Sequence, residues 1–159
     1  MSEKRIIVPA FSAANGFSTT EQRSKIMSKI KCRDTKPEIE FRKALWSKGV
    51  RYRTCSKSLP GKPDIASVSS RFAVFIDGEF WHGKDWEIQR GKIKSNKDYW
   101  VKKIERNMQR STEVDLALSE MKIEVFRFWS KEIKNDLDGC VEKVLAYIAR
   151  QKANRMRKK

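Results

Sequence analysis

The residues best suited to chemistry gather in the middle of the chain. Leu59-Pro-Gly-Lys-Pro-Asp64 reads as a turn, because two prolines and a glycine in so short a stretch prevent a regular element. Ile65-Ala-Ser-Val68 and Phe72-Ala-Val-Phe-Ile76 then read as two strands joined by Ser69-Ser70-Arg71, and the second runs into Asp77-Gly-Glu79. Such a hairpin brings Asp64 close to the backbone and carboxylates of 76–79. Oxygen ligands projecting from adjacent strand ends are what a Mg²⁺ ion on a phosphodiester requires. An isolated Pro-Asp is more commonly a solvated turn aspartate. Here it is accompanied by Glu38, by the loop Asp77-Gly-Glu-Phe-Trp-His-Gly83, and by a large positive charge. The loop holds His82, the single histidine of the sequence, between Gly78 and Gly83 and beside acidic residues. An imidazole with a pKa near 6.5 can take a proton from water at neutral pH, as phosphodiester hydrolysis demands. Phe80 and Trp81, if exposed beside a basic groove, can stack on bases or wedge between them.

Charge names the partner class. Lys and Arg number 36 against 20 acids, a formal charge of +16 on 159 residues. Such an excess points to a polyanion, bound largely by release of condensed counterions. No apolar run approaches the roughly 20 residues a spanning helix needs, and no basic amphipathic helix with a bulky apolar face stands out, so a membrane is not the expected partner. The short apolar patch near Met1 is too interrupted for a signal peptide, which makes the expected location cytoplasmic. Cys32, Cys55 and Cys140 are scattered, without a CxxC pair, and read as reduced structural thiols.

The flanking elements must position these groups. Residues 1–17 have no periodic pattern and read as a flexible arm. Ser18-Thr-Thr-Glu21 and Thr35-Lys-Pro-Glu38 each resemble a capping box. The first precedes Ile26, Met27 and Ile30 at helical spacing, and the second opens a helix of about three turns. A basic stretch with Arg90, Lys92, Lys94 and Lys97 leads into a long helix from about Lys97 to Met121. Ile123–Trp129 reads as a further core strand, 137–148 as a closing helix, and the cationic tail 150–159 as disordered. The expected fold is one α/β domain, a mixed sheet flanked by helices, over 18–149.

Arg33-Asp-Thr-Lys-Pro-Glu38, Leu59-Pro-Gly-Lys-Pro-Asp64, Val74-Phe-Ile-Asp-Gly-Glu-Phe-Trp-His-Gly83, Asn96-Lys-Asp-Tyr-Trp-Val-Lys-Lys-Ile-Glu-Arg-Asn107 and Val125-Phe-Arg-Phe-Trp129 occur in one register from about Thr20 to Ile133. Together they resemble the very-short-patch mismatch repair endonuclease (Vsr) family. The resemblance implies a restriction-endonuclease-like core and Mg²⁺-dependent nicking of double-stranded DNA near a T:G mismatch. It places the family's metal-binding aspartate on Asp64, with the Ile76 carbonyl as a further ligand. The amino-terminal-helix glutamate falls on Glu38 and the general-base histidine on His82. The aromatic wedge falls on Phe80, Trp81 and Trp100. Lys94 and Lys97 are expected on flanking phosphates, and Asp77 beside the site. A monomer, working with mismatch repair proteins, is the expected form.

Two departures from the family stand out. Its structural zinc positions fall on Glu79, Lys84, Trp86 and Lys131, so zinc is not expected. Glu79 is instead a candidate for the metal shell, as in the paired acids of other restriction-type nucleases. The aspartate that orients the catalytic histidine falls on Ser111, whose hydroxyl does not stabilise an imidazolium as a carboxylate does. Asp115, one turn further along the same helix, is a candidate substitute. The rival readings are a homing, restriction or phage-defence nuclease without mismatch preference, and a DNA-binding module with weakened catalysis.

Overall fold

The computed structural model describes residues 4–30 and 33–157. In chain order its elements are α1 (Glu21–Ser28), α2 (Lys36–Ser47), β1 (Arg53–Thr54), β2 (Ile65–Ser67), β3 (Phe72–Asp77), α3 (Trp86–Gln89), α4 (Lys97–Glu120), β4 (Glu124–Trp129), α5 (Ser130–Asn135) and α6 (Leu137–Met156), with short 3₁₀ turns at Ala13–Asn15 and Arg90–Lys92. The four strands form one mixed sheet in the order β1-β2-β3-β4. The first two pairings are antiparallel, and β3 runs parallel to β4. Contacts gather into two compact units. A sheet unit comprises Arg33–Gly78 and the described residues from Val114 on; a helical unit comprises the described residues before Arg33 together with Glu79–Glu113.

In the sheet unit β3 is buried along its whole length. Its side chains alternate between two apolar layers, as the twofold period of a strand dictates. Phe72, Val74 and Ile76 meet Phe41 and Leu45 of α2, Ile133 of α5 and Val141, Val144 and Ile148 of α6. Ala73 and Phe75 face the opposite way, toward Leu59, Ile123 and Leu118 of α4. The parallel pair Phe75↔Arg127 sets a cation into this second layer, its guanidinium 4.2 Å above the Phe75 ring.

Several sequence expectations are corrected here. Helix α6 continues to Met156, through most of the stretch expected to be disordered. Arg150–Met156 contains no Pro or Gly and is rich in good helix formers, and the Arg155 guanidinium donates to the Ser69 carbonyl. Neither capping box closes as drawn. Thr20, not Ser18, caps α1, accepting from the Arg23 N–H at 3.3 Å. Glu38 reaches back as expected, but takes the Asp34 N–H and the Thr35 hydroxyl instead of the N-cap amide. Helix α1 buries none of its residues, leaving Ile26, Met27 and Ile30 exposed. The short helices α3 and α5 give too few residues for a period to show in the sequence.

The amino-terminal arm is held within the helical unit. The Ile6 N–H donates to Gln109 Oε1 at 3.0 Å, and Gln109 Nε2 returns a bond to the Lys4 carbonyl at 3.2 Å. Phe11 and Phe17 pack on Tyr99 at 4.9 and 5.4 Å between ring centroids. Ser18 and Asn96 exchange two bonds, and the Arg23 guanidinium donates to Ser95 Oγ. Since Tyr99 is the ring both phenylalanines share, Tyr99→Ala is expected to speed amide exchange at residues 6–18 by at least about tenfold while leaving β3 protected. Unchanged exchange in the arm would show that the ring cluster does not hold it.

Candidate active site

In the sheet unit the acidic residues sort themselves by partner. Asp64 enters β2 after the buried Pro63, and its Oδ2 accepts the Ile76 N–H at 2.8 Å. In an extended strand the N–H and C=O of one residue leave on the same edge, so the Ile76 carbonyl also faces the edge that Asp64 occupies. Glu38 is buried on the first turn of α2, held by the Asp34 N–H at 2.9 Å and the Thr35 hydroxyl at 2.8 Å. Asp77, buried at the end of β3, accepts from Arg127 Nη1 at 2.9 Å.

Arg127 organises the acids around it although the sequence alone does not single it out. It also grips Asp115, with Nε on both carboxylate oxygens at 3.0 Å and Nη2 on Oδ1 at 2.8 Å. Both oxygens of Asp115 are therefore committed to Arg127, and its role in the structure is to complete this ion cluster. The available signal was the arginine itself, lying among the apolar residues of Val125-Phe-Arg-Phe-Trp129.

Among the described residues Asp64, like Glu38, has no cationic side chain in contact with its carboxylate. Its carboxyl is pushed up to about 6, chiefly by burial, with the charges of Glu38 and Asp77 adding and the Ile76 N–H and Arg42 opposing. Its Oδ1 accepts no hydrogen bond from the described residues. A cation placed there would relieve the burial penalty. The donors at hand, a carboxylate and a backbone carbonyl, are the hard oxygens that suit Mg²⁺, which keeps several waters and needs only one or two carboxylates. Among the described residues no three His, Cys, Asp or Glu side chains form a metal-holding group, so a cation here would complete its shell largely with backbone, water and substrate oxygens.

The helical unit carries the aromatic loop. The Lys84 N–H donates to the Glu79 carbonyl at 2.9 Å, closing the loop around Phe80, Trp81 and His82. Gly83 lies at φ +69°, and a Cβ there would meet Met108 Sδ at 2.5 Å, so glycine is what lets the loop press against α4. Asn107 Nδ2 holds the Trp81 carbonyl at 2.9 Å. Phe80, Trp81 and Trp100 form a triangle with centroids 5.3 to 5.6 Å apart. Phe80 remains 49% exposed, which leaves this cluster at the surface. His82 is half-buried, its Nδ1 3.4 Å from Ser111 Oγ. Lys94 and Lys97 are exposed. Trp86, at one of the expected zinc positions, is buried and directs its indole N–H to Glu105.

Residues 16–88 match the family described as DNA mismatch endonuclease Vsr. A type II nicking enzyme of Neisseria meningitidis serogroup C, V.NmeDIP, is 48% identical over 79% of this chain and 85% of its own length. The chain belongs to the Vsr family. The type II nicking enzyme V.HpaIIP of Haemophilus parainfluenzae is also 48% identical, over 72% of this chain and 82% of its own length. The DNA mismatch endonuclease Vsr of Escherichia coli (strain K12) is 32% identical over 67% and 68%. As a Vsr-family protein the chain is a DNA endonuclease with DNA as its substrate, and its mixed sheet flanked by helices is restriction-endonuclease-like. Among the described residues no helix is long and apolar enough to cross a membrane.

Two measurements probe the acidic site. The folded Asp64 carboxyl titrates near 6 and the unfolded one near 3.8. The folded chain therefore keeps its proton longer, and stability from this group is full below pH about 4 and is lost as pH rises through 6. Relative to Asp64→Asn, the metal-free protein should lose on the order of 2 to 3 kcal/mol between those limits in urea unfolding, and Mg²⁺ should restore stability to the parent only. A difference that stays flat with pH would mean that Asp64 is not penalised by burial. Arg127→Met should cost about 3 kcal/mol by stranding the buried Asp77, and Arg127→Met with Asp77→Asn should recover much of it. Strictly additive losses would rule out the pairing as the source.

Proposed function

We propose that this endonuclease nicks one strand of duplex DNA at or beside a T:G mismatch, using Mg²⁺, as a cytoplasmic monomer acting alongside mismatch repair proteins. The observation that carries the reading is the half-buried Asp64 carboxylate, short of a cationic partner and set against the Ile76 backbone. The nicking relatives and the mismatch endonuclease of the same family support strand nicking and action at a mismatch respectively.

The chain's groups divide the work. When bound, Mg²⁺ supplies a Lewis acid that polarises the scissile phosphate. Asp64 and the Ile76 carbonyl would hold it, with Glu79 as a further candidate oxygen donor and Glu38 as a group that would fix water or metal. His82 takes a proton from the attacking water at Nε2, because Nδ1 is turned toward Ser111. Ser111 orients the ring but offers no negative charge to the imidazolium, so the histidine is a weaker base than one backed by a carboxylate. Phe80, Trp81 and Trp100 wedge into the duplex at the mispair, where stacking is already weakened. Lys94 and Lys97 hold flanking phosphates. No structural zinc enters this reading, since Glu79, Lys84, Trp86 and Lys131 stand where the family's ligands would.

Nicking assays on otherwise identical matched and T:G-mismatched duplexes decide the substrate. We expect Mg²⁺-dependent cutting of one strand, faster on the mismatch, abolished by Asp64→Ala with DNA affinity kept within about tenfold. Equal rates on both duplexes would replace mismatch repair with matched-site nicking, and full activity of Asp64→Ala would remove Asp64 from catalysis. Restoring a carboxylate with Ser111→Asp should raise single-turnover nicking by about tenfold; an unchanged rate would show that His82 does not rely on that position.

A further inference from the structure

Beside Glu38, which with Asp64 forms an electrostatically coupled acidic pair, helix α2 and strand β1 enclose a groove of about 530 Å³, lined among others by Ile39, Arg42, Lys43, Trp46, Tyr52 and Thr54. Its apolar surface lies open. Trp46 is 51% and Ile39 38% exposed, on the helix whose opposite face gives Phe41 and Leu45 to the core. The indole is braced all the same. The Arg51 guanidinium lies 4.0 Å from the ring centroid and donates to the Trp46 carbonyl at 3.3 Å, while Tyr52 meets the ring edge-on at 5.8 Å. The Tyr52 hydroxyl is in turn fixed to the Arg42 carbonyl at 2.7 Å.

The charge around this ring has one sign. Asp34, the acid in the lining, is already paired with Arg42 at 2.6 Å. Lys43, Lys48, Arg51 and Arg53 are exposed and have no acidic partner among the described residues. Arg42 joins the groove to the acidic pair, because its Nε donates to the Glu38 carbonyl while Nη2 holds Asp34. The groove thus sets the cations Arg42 and Lys43 beside a half-exposed indole that carries the Arg51 guanidinium on its ring. Both an indole face and a guanidinium plane stack on nucleobases, and neighbouring cations hold the phosphates.

We infer that the α2–β1 groove holds an unpaired nucleotide of the DNA strand beyond the acidic pair, its base stacked on the Trp46–Arg51 surface and its phosphate facing Lys43. The inference rests on the nuclease reading above and adds a single-strand subsite to it. Bases within a duplex are already stacked on their neighbours, so this surface selects a nucleotide that has left the helix, as in a frayed or displaced strand beside a nick.

Binding without cleavage tests it. Fluorescence anisotropy of the full chain in EDTA, with a labelled short oligothymidylate and a labelled matched duplex, separates stacking from charge. Trp46→Ala should weaken oligothymidylate binding by about tenfold and duplex binding by less than about twofold, while Trp46→Phe stays within about twofold of the parent on both. Lys43→Glu should weaken oligothymidylate binding most at low salt. An oligonucleotide carrying 5-bromodeoxyuridine, irradiated with the unaltered chain, should crosslink to the peptide containing Trp46, which keeps the test valid if Trp46→Ala fails to fold. Parent-like binding by Trp46→Ala, equal losses in the alanine and phenylalanine variants, or crosslinks confined to other peptides would overturn the subsite. If the parent still nicks duplex DNA in that case, only the groove assignment falls. A chain that neither binds nor nicks DNA would sink both readings.

Discussion

A strand buried on both faces leaves nowhere for a charge to go, and β3 ends in one. Six consecutive buried residues, Phe72–Asp77, form the spine of the sheet unit, with one apolar layer on each side. A buried carboxylate at the end of such a strand is tolerated only if a counter-charge is built in with it. Arg127 supplies that charge from the neighbouring parallel strand, held in turn by the Phe75 ring beneath it and by Asp115 on α4. The same layer that fills the core therefore fixes where the end of β3 lies, and with it the Ile76 backbone on which Asp64 rests.

This arrangement sets two neighbouring aspartates apart. Asp77 is answered by a guanidinium, whereas Asp64 has a backbone amide and a more distant Arg42. Burial then acts on Asp64 with little to oppose it and lifts its carboxyl toward neutrality. Separating acids by environment is a common route to assigning them different tasks. Glu38 contributes to the same field from α2, and it is kept in place by the turn that starts its own helix. Local helix chemistry and the electrostatics of the site are thus one set of contacts.

Much of this was legible in the residues. The unbroken apolar run Phe72–Ile76, the Pro-Asp turn and the long amphipathic stretch from Lys97 mark elements that the structure contains, because a strand buried on both faces is apolar throughout and a helix buried on one face carries a period. What escaped notice depends on partners distant in sequence. Phe11 and Phe17 carry no period, and only Tyr99 and Gln109 give the arm a place to bind. Helix α6 passes Ile148 because its later residues form helix by propensity without needing an apolar stripe. Asp115 lies at the edge of an inward-facing stripe, but which group it meets depends on Arg127, one strand away. The roles of His82 and the aromatic loop are legible from residue type, charge context and family resemblance rather than from periodicity, since a loop leaves no regular pattern.

The interleaving of the chain bears on how it is made. Each unit is assembled from two separate stretches, one early and one late. The bonds from Gln109 to Ile6 and Lys4 span more than a hundred residues, and β3 lacks its parallel partner until β4 has been synthesised. A ribosome that has reached only residue 100 has therefore completed neither unit, and leaves a strongly apolar strand with one edge unpaired while it continues. Such a chain has a high contact order and a vulnerable interval during synthesis. Its dense positive charge, so useful on DNA, also keeps unfinished copies from adhering to one another at that stage.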